Sequence, residues 1–246
     1  MICAILMGRE GSTGFPGKNV YPLAGLPMVA WALKAAQETP EVERIYVTTD
    51  SPRIKEISLE YGARVIDRPA HLCTKEALGE HVYVHAHECI REELTKEGRE
   101  PSIYALLMAN APTISPAQLS QGIKALQERP NLDSAVTVSV YNMWSPLRAR
   151  KLDDEGLLKP FVPFEVFGDP KTLNCDRDSQ GDAYFADMGV SVIRARNLDD
   201  LDGGMLPQKW MGQRILPIPN VGGLDVDYDY QMPQAEWWLK KHGLAD

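Results

Sequence analysis

Cysteine is scarce and scattered: Cys3, Cys73, Cys89 and Cys175 are the only four among 246 residues, and no two form a C-x-x-C pair. That spacing excludes a disulfide-stapled scaffold or a zinc ribbon and fits reduced thiols in a cytoplasmic setting. Long apolar runs are absent as well. No window approaches the roughly 18 to 20 residues that a membrane span requires. The apolar run at the N-terminus is too short for a signal h-region and has no basic stretch before it, so it reads as a strand. Excess positive charge is also lacking, since the formal net charge is −8. A net basic face is what displaces counterions from nucleic acid or an acidic membrane, so neither is an expected partner. No G-x-S-x-G elbow is present, which removes a hydrolase triad built on Ser12. What the chain does have is size: 44% hydrophobic content over this length is enough for one soluble α/β domain, residues 1–246, with a subsidiary lobe.

The richest stretch is Met1 to Asn19. A short apolar run, Ile2 to Met7, breaks into Gly8-Arg9-Glu10-Gly11-Ser12-Thr13-Gly14-Phe15-Pro16-Gly17-Lys18-Asn19. This is the pattern of a buried strand feeding a phosphate-handling loop. Glycines at 8, 11, 14 and 17 free the backbone for positive φ and let N–H groups approach an anion, while Arg9 and Lys18 place a cation near each end. It is not a Walker A loop, because Ser12 stands where the first glycine is needed and Asn19 follows the lysine. Nor is it the dinucleotide fingerprint, because the glycines are spaced by threes. A mobile glycine loop closing a strand end is the alternative.

Beyond the loop, Pro27 to Glu38 carries helical spacing and Arg44 to Thr49 reads as a strand. A helix over Pro52 to Tyr61 and a strand over Ala63 to Ile66 follow. Strands alternating with helices imply parallel pairing and right-handed crossovers, which gather the strand C-termini, and with them the glycine loop, along one edge. Further on come a long helix over Glu76 to Glu97, a doubly buried strand over Ser102 to Met108, a helix over Pro116 to Glu128 and a strand over Asp133 to Val140. Between residues 141 and 182 the pattern changes: prolines at 146, 160, 163 and 170 interrupt it, leaving two strand pieces near 147–152 and 157–161. This predicts an inserted arm. Its content of Trp144, Phe161, Phe164 and Phe167 calls for cover by a second copy of the chain or by its own domain. Ala183 to Ile193 and Arg214 to Ile218 resume strand character, and Asp229 to His242 closes with a helix.

Near the C-terminus, Leu224-Asp225-Val226-Asp227 sets two carboxylates two residues apart. In an extended segment they share a face and can converge on one cation. Hard oxygen donors suit Mg²⁺, which keeps waters and bridges to phosphates, so this pair and the glycine loop together describe a phosphoryl or nucleotidyl transfer site. Standing alone, a D-x-D is also compatible with a solvated acidic turn. Asp229 either continues the alternation or caps the last helix. His81 and His85 can share a helix face near His87, but with no third ligand a polar face is the simpler account.

These segments resemble the cytidylyltransferases that activate sugar acids, the acylneuraminate and Kdo synthetases. Gly8 to Asn19 is similar to their A-R-G-G-S-K-G-I-P-x-K-N loop. Asp67-Arg68-Pro69-Ala70-His71-Leu72 is similar to R-P-x-x-L, Leu106 to Pro112 falls where they carry L-L-Q-P-T-S-P or V-Q-G-D-E-P, and Leu224 to Asp227 matches D-I-D. The piece from Leu152 to Pro160 resembles the arm of their dimer contacts. The resemblance implies a Rossmann-like nucleotidyltransferase fold with a mainly parallel central sheet and a dimerisation arm at about 141–182. It further implies a homodimer and transfer of CMP from CTP to a sugar acid with release of pyrophosphate. By the same resemblance Arg9 and Lys18 act in catalysis, and Gly8, Gly11, Ser12, Gly14, Asn19, Arg68 and Asn110 surround the nucleotide. Asp225 and Asp227 hold Mg²⁺. The chain departs from the pattern at Glu10, Thr13, Lys75, Met108 and Asn110. Another nucleotide, a sugar-phosphate acceptor or a non-catalytic nucleotide-binding module are therefore alternatives.

Overall fold

The computed structural model describes residues 1–11, 14–74 and 76–246. Strand β1 (Ile2–Met7) opens the chain, and a small hairpin, β2 (Pro22–Leu23) and β3 (Leu26–Pro27), leads into helix α1 (Met28–Gln37). Then come β4 (Arg44–Thr49), α2 (Pro52–Glu60), β5 (Arg64–Asp67), α3 (Gly79–Lys96), β6 (Ile103–Met108), α4 (Pro116–Glu128) and β7 (Ser134–Val140). The arm carries β8 (Arg150–Leu152) and β9 (Leu158–Pro160), after which β10 (Tyr184–Arg194), β11 (Ile215–Pro219) and α5 (Met232–Lys241) complete the fold. Among the described residues no helix is long and apolar enough to cross a membrane.

Seven strands form one sheet in the order β11-β7-β10-β6-β1-β4-β5. β1 runs parallel to β4 and β6, β4 to β5, and β11 to β7, whereas β10 is antiparallel to both β6 and β7. The mainly parallel sheet is thus borne out, and the one reversal has a simple cause. Every parallel step needs a crossover that carries the chain back to the opposite edge. The arm between β7 and β10 supplies no such crossover, so the chain re-enters from the edge it left.

Side chains along β1 alternate between two cores. Ala4 and Leu6 pack with Val29 and Leu33 of α1 and Leu119 and Ile123 of α4, while Cys3 and Ile5 pack with Tyr83, Ala86 and Ile90 of α3. Both faces are apolar because helices cover both. A third cluster, with Met28, Trp31, Val226, Trp238 and Leu239, docks α5 and the D-x-D segment against α1.

Most element ends follow local chemistry. Ser51 and Ser115 accept from the backbone N–H groups of Ile54 and Gln118, and each is followed by a proline that fits the first helical turn. Pro27, expected inside α1, stands just before it in extended geometry. The long helix starts at Gly79 rather than Glu76, and Ala77 is part of a cavity wall. Asp229 belongs to a short 3-10 turn (Asp229–Gln231) ahead of α5 and makes no side-chain cap. The arm is built of short turns around the β8–β9 hairpin, and in the single chain its Trp144, Leu158 and Phe161 lie exposed.

Candidate active site

The C-terminal ends of β1 and β6, with the residues that follow β5, open on a cavity of about 460 Å³. At its polar end the lining includes Gly8, Arg9, Gly14, Lys18, Asn19, Arg68, Asn110 and Asp227. Residues drawn from four distant parts of the chain therefore meet where the parallel strands end, the place at which open α/β sheets bind ligands. Gly11 is exposed and Asp225 half-buried, and neither is part of the lining. Ser12, with Thr13 and Lys75, lies outside the described residues.

The glycines of the loop serve differing ends. Only Gly17 takes the positive φ expected of all four, at 74°. Gly8 is small because β1 abuts β6 and α2: a Cβ there would lie 2.8 Å from the Ala109 Cβ and 3.0 Å from the Ile54 Cδ1. Gly14 lets the loop touch the D-x-D segment, since its Cβ would lie 2.9 Å from the Asp227 carbonyl oxygen. Close approach, more than left-handed backbone, accounts for the glycines at 8 and 14.

Lys18 starts a 3-10 turn, Lys18–Val20. Its ammonium donates to the Val226 carbonyl at 2.7 Å and to Asp227 Oδ1 at 2.5 Å. The lysine side chain is 10% exposed and the aspartate 58%, so this ion pair is anchored on the buried lysine and open to solvent on the carboxylate side. Asn110 stands between the two aspartates. Its Nδ2 donates to the Val226 carbonyl at 3.1 Å and lies 3.5 Å from both Asp225 Oδ2 and Asp227 Oδ1. Val226 in turn donates its N–H to the Asn110 carbonyl at 2.8 Å. Val226 is buried while the flanking carboxylates face the other way, which is the alternation expected of an extended segment. Burial, and then the negative charge of Asp227, push the Asp225 carboxyl above its ordinary range. Such a pair gains from a bound cation.

Arg68 is fixed from behind. Its guanidinium donates to the Gly8 carbonyl at 2.9 Å, to the Thr48 carbonyl and to the Thr48 hydroxyl at 3.3 Å. Burial pulls its pKa down, and among the described residues no carboxylate pairs with it. A largely buried guanidinium held only by neutral oxygens is a good counter-charge for an anionic guest. Arg9 donates to the Thr74 carbonyl at 3.1 Å, and Asn19 donates to the Arg9 carbonyl at 3.0 Å. The Asn19 Oδ1 is buried without a partner among the described residues.

At its other end Met7, Leu72, Val82 and Met108 form an apolar wall. Leu72 and Met108 fall in segments that the family resemblance singled out, whereas sequence reasoning missed Met7 and Val82, which come from separate elements that meet only in the folded sheet. Tyr228 was missed as well: it lines the cavity beside Asp227 and stacks on Tyr230 with ring centroids 5.4 Å apart. The histidines of α3 form no metal centre. His87 is buried, contacting the Tyr104 hydroxyl at 2.9 Å and Asp199 at 3.1 Å, so it is a core residue and not part of a solvated face. Among the described residues no group of three or more His, Cys, Asp or Glu side chains is arranged to hold a metal.

Known proteins resemble this chain over most of its length. It is 24% identical over 243 residues to the N-acylneuraminate cytidylyltransferase of Oncorhynchus mykiss, covering 98% of this chain and 51% of that protein. It is 31% identical over 160 residues to the N-acylneuraminate cytidylyltransferase of Escherichia coli O18:K1:H7, covering 65% and 36%. The chain thus spans about half, or less, of the length of these relatives. Its fold is similar to a CMP:2-keto-3-deoxy-manno-octonic acid synthetase solved with CTP, at a TM-score of 0.65 and 16% identity, covering 98% and 99% of the two chains. A family model described as cytidylyltransferase matches residues 3–155, more than half of the sequence, and the chain belongs to that family.

Proposed function

We propose that this protein is a Mg²⁺-dependent cytidylyltransferase that transfers CMP from CTP to a sugar acid of the sialic acid or Kdo type and releases pyrophosphate. The observation that carries this reading is the meeting of the glycine loop and the D-x-D pair, through Lys18 and Asp227, at the mouth of one cavity at the strand ends. The names of the similar proteins supply the nucleotide and the acceptor class.

The donor set fits the metal. Two convergent carboxylates leave the remaining positions of a hard cation to water and phosphate oxygens, the usual arrangement for Mg²⁺ at a nucleotide. Asp225 and Asp227 would hold it, and it would supply charge neutralisation at the α-phosphate and the leaving pyrophosphate. The protein's own residues do the rest. Arg68, Arg9 and the loop N–H groups bind the phosphates, and the apolar wall of Met7, Leu72, Val82 and Met108 receives the base. The acceptor hydroxyl oxygen forms a bond to the α-phosphorus and gives its proton to water, while the bond from that phosphorus to the bridging oxygen breaks and pyrophosphate departs. Lys18, held 2.5 Å from Asp227, stands where negative charge grows in that step. The exposed apolar side chains of the arm support a homodimer.

Pyrophosphate release with each of four nucleoside triphosphates and a panel of sugar acids tests the assignment, together with thermal shifts in Mg²⁺. CTP should raise Tm and support turnover, because a ligand bound only to the native state stabilises it. Stabilisation by GTP or UTP and not by CTP would overturn it.

A further inference from the structure

We infer that Asp187 is a positioning residue, whose carboxylate locks the turn from Asn220 to Leu224 and through it aims the Asp225–Asp227 pair. The inference rests on the proposed metal role of that pair.

Asp187 lies in β10, is 5% exposed and makes no ion pair among the described residues. It accepts instead from neutral donors: the Thr137 hydroxyl at 2.5 Å, the Ser139 hydroxyl at 3.0 Å and the Gly189 N–H at 3.1 Å. A buried carboxylate satisfied only by neutral groups costs more than an apolar side chain of the same size. The surrounding backbone is unusual too. The pairing of β10 with β7 shifts register between Ala186 and Ser191, and Met188, next to Asp187, takes φ 62°, a conformation that non-glycine residues avoid. Bulges and strained residues of this sort collect where a side chain must be re-aimed.

The groups around Asp187 all lead to one place. The Ser139 hydroxyl, whose single proton goes to Asp187, also lies against the Asn220 carbonyl and accepts from the Gly223 N–H at 3.1 Å. A Cβ at Gly223 would overlap both Asp187 Oδ2 and Asn220 Nδ2, so the turn passes directly over the carboxylate. On its far side the Thr113 hydroxyl donates to the Leu224 carbonyl and accepts from the Leu224 N–H, both at 2.9 Å. Asn220 donates to the Thr113 carbonyl at 3.2 Å and accepts from the Trp238 indole at 2.9 Å. The Tyr141 hydroxyl donates to the Gly223 carbonyl at 2.8 Å. Residues of β7, the β10 bulge, the loop after β6 and α5 thereby converge on a five-residue turn whose next residue is Asp225. A metal bound by only two protein carboxylates needs this turn in one exact place, because each must present its oxygens at a set distance and angle.

The test measures metal binding apart from turnover. Mn²⁺ is titrated into the full chain with CTP and followed by water-proton relaxation, for the wild type, Asp187→Asn and Thr113→Val. Asparagine keeps the shape but turns an NH₂ towards groups that donate to the carboxylate. Thr113→Val leaves Asp187 intact and cuts the Leu224 tether. Outer-shell partners are worth about 10- to 100-fold in metal affinity, so Asp187→Asn should weaken Mn²⁺ binding about 10-fold or more. Its kcat should recover at high Mg²⁺, a rescue that a merely structural defect would not show. Thr113→Val should shift Mn²⁺ affinity the same way by a few-fold, and it carries the test if the Asp187 variant does not fold. A folded Asp187→Asn protein, or failing that Thr113→Val, with wild-type Mn²⁺ affinity overturns the inference. If Asp227→Asn binds Mn²⁺ as the wild type does, the metal reading itself is wrong, and the inference falls with it.

Discussion

Replacing Lys18 with methionine should move metal affinity and turnover in opposite directions. The Lys18 ammonium lies 2.5 Å from Asp227 Oδ1, so any cation approaching that carboxylate competes with a charge already there. Two unit charges 4 Å apart attract by about 4 kcal/mol at an effective dielectric of 20. The Asp227 side chain is 58% exposed, however, and pairs of that kind deliver about 1 kcal/mol at most once solvent screens them. Removing the ammonium should therefore tighten Mn²⁺ binding to the free protein about fivefold, since every 1.4 kcal/mol is tenfold. Turnover should fall by about 10²-fold or more, because the variant lacks a donor aimed at charge that develops during transfer. The fold should tolerate the change. Methionine is apolar and similar in length, and the charge left behind on Asp227 is 58% exposed and stays solvated, so no buried ion is left unpaired. Mn²⁺ titration without nucleotide and single-turnover pyrophosphate release measure the two effects on one preparation. Unchanged or weaker Mn²⁺ binding would show that Lys18 does not compete for Asp227, and unchanged turnover would remove it from the reaction.

Gly14→Ala should lower activity at least tenfold with little change in Tm, because its Cβ would press on the Asp227 carbonyl at 2.9 Å and displace the loop from the D-x-D segment; wild-type kinetics would show that the contact relaxes freely. Light scattering at micromolar concentration should give the dimer mass, and a monomer mass would leave the exposed arm side chains without the proposed cover. Burial opposes ionisation of Asp133, yet the Arg214 and Gln213 N–H groups and Arg196 together hold its carboxyl below the ordinary value. Its contribution to stability is therefore complete above about pH 4, the value expected in the unfolded chain, and is lost as pH falls through the lower folded value. Asp133→Asn should cost about 1 kcal/mol or more at neutral pH, with the difference from wild type shrinking in acid; a difference independent of pH in urea melts would refute the account.

Local spacing in the sequence was enough for most of the elements and for the two motifs that meet at the candidate site. β1, β4 and α4 begin and end close to where apolar periodicity and prolines place them, because those signals act within a few residues. The glycine loop and the D-x-D were legible for the same reason: each is a set of short-range geometric demands written in consecutive letters. The relation between the halves was not. Lys18 and Asp227 lie 209 positions apart, and nothing in either segment records that the first neutralises the second. The reversal of β10, the apolar wall of the cavity and the Asp187 network have the same origin. Each depends on which faces meet once the sheet closes, and a contact made by distant residues leaves no periodic trace in the chain. Tertiary packing also changed the meaning of residues already noticed, making Gly8 and Gly14 points of close approach and His87 a core side chain. The sequence by itself determined which chemistry is carried, and only the folded sheet decided which groups share one volume of space.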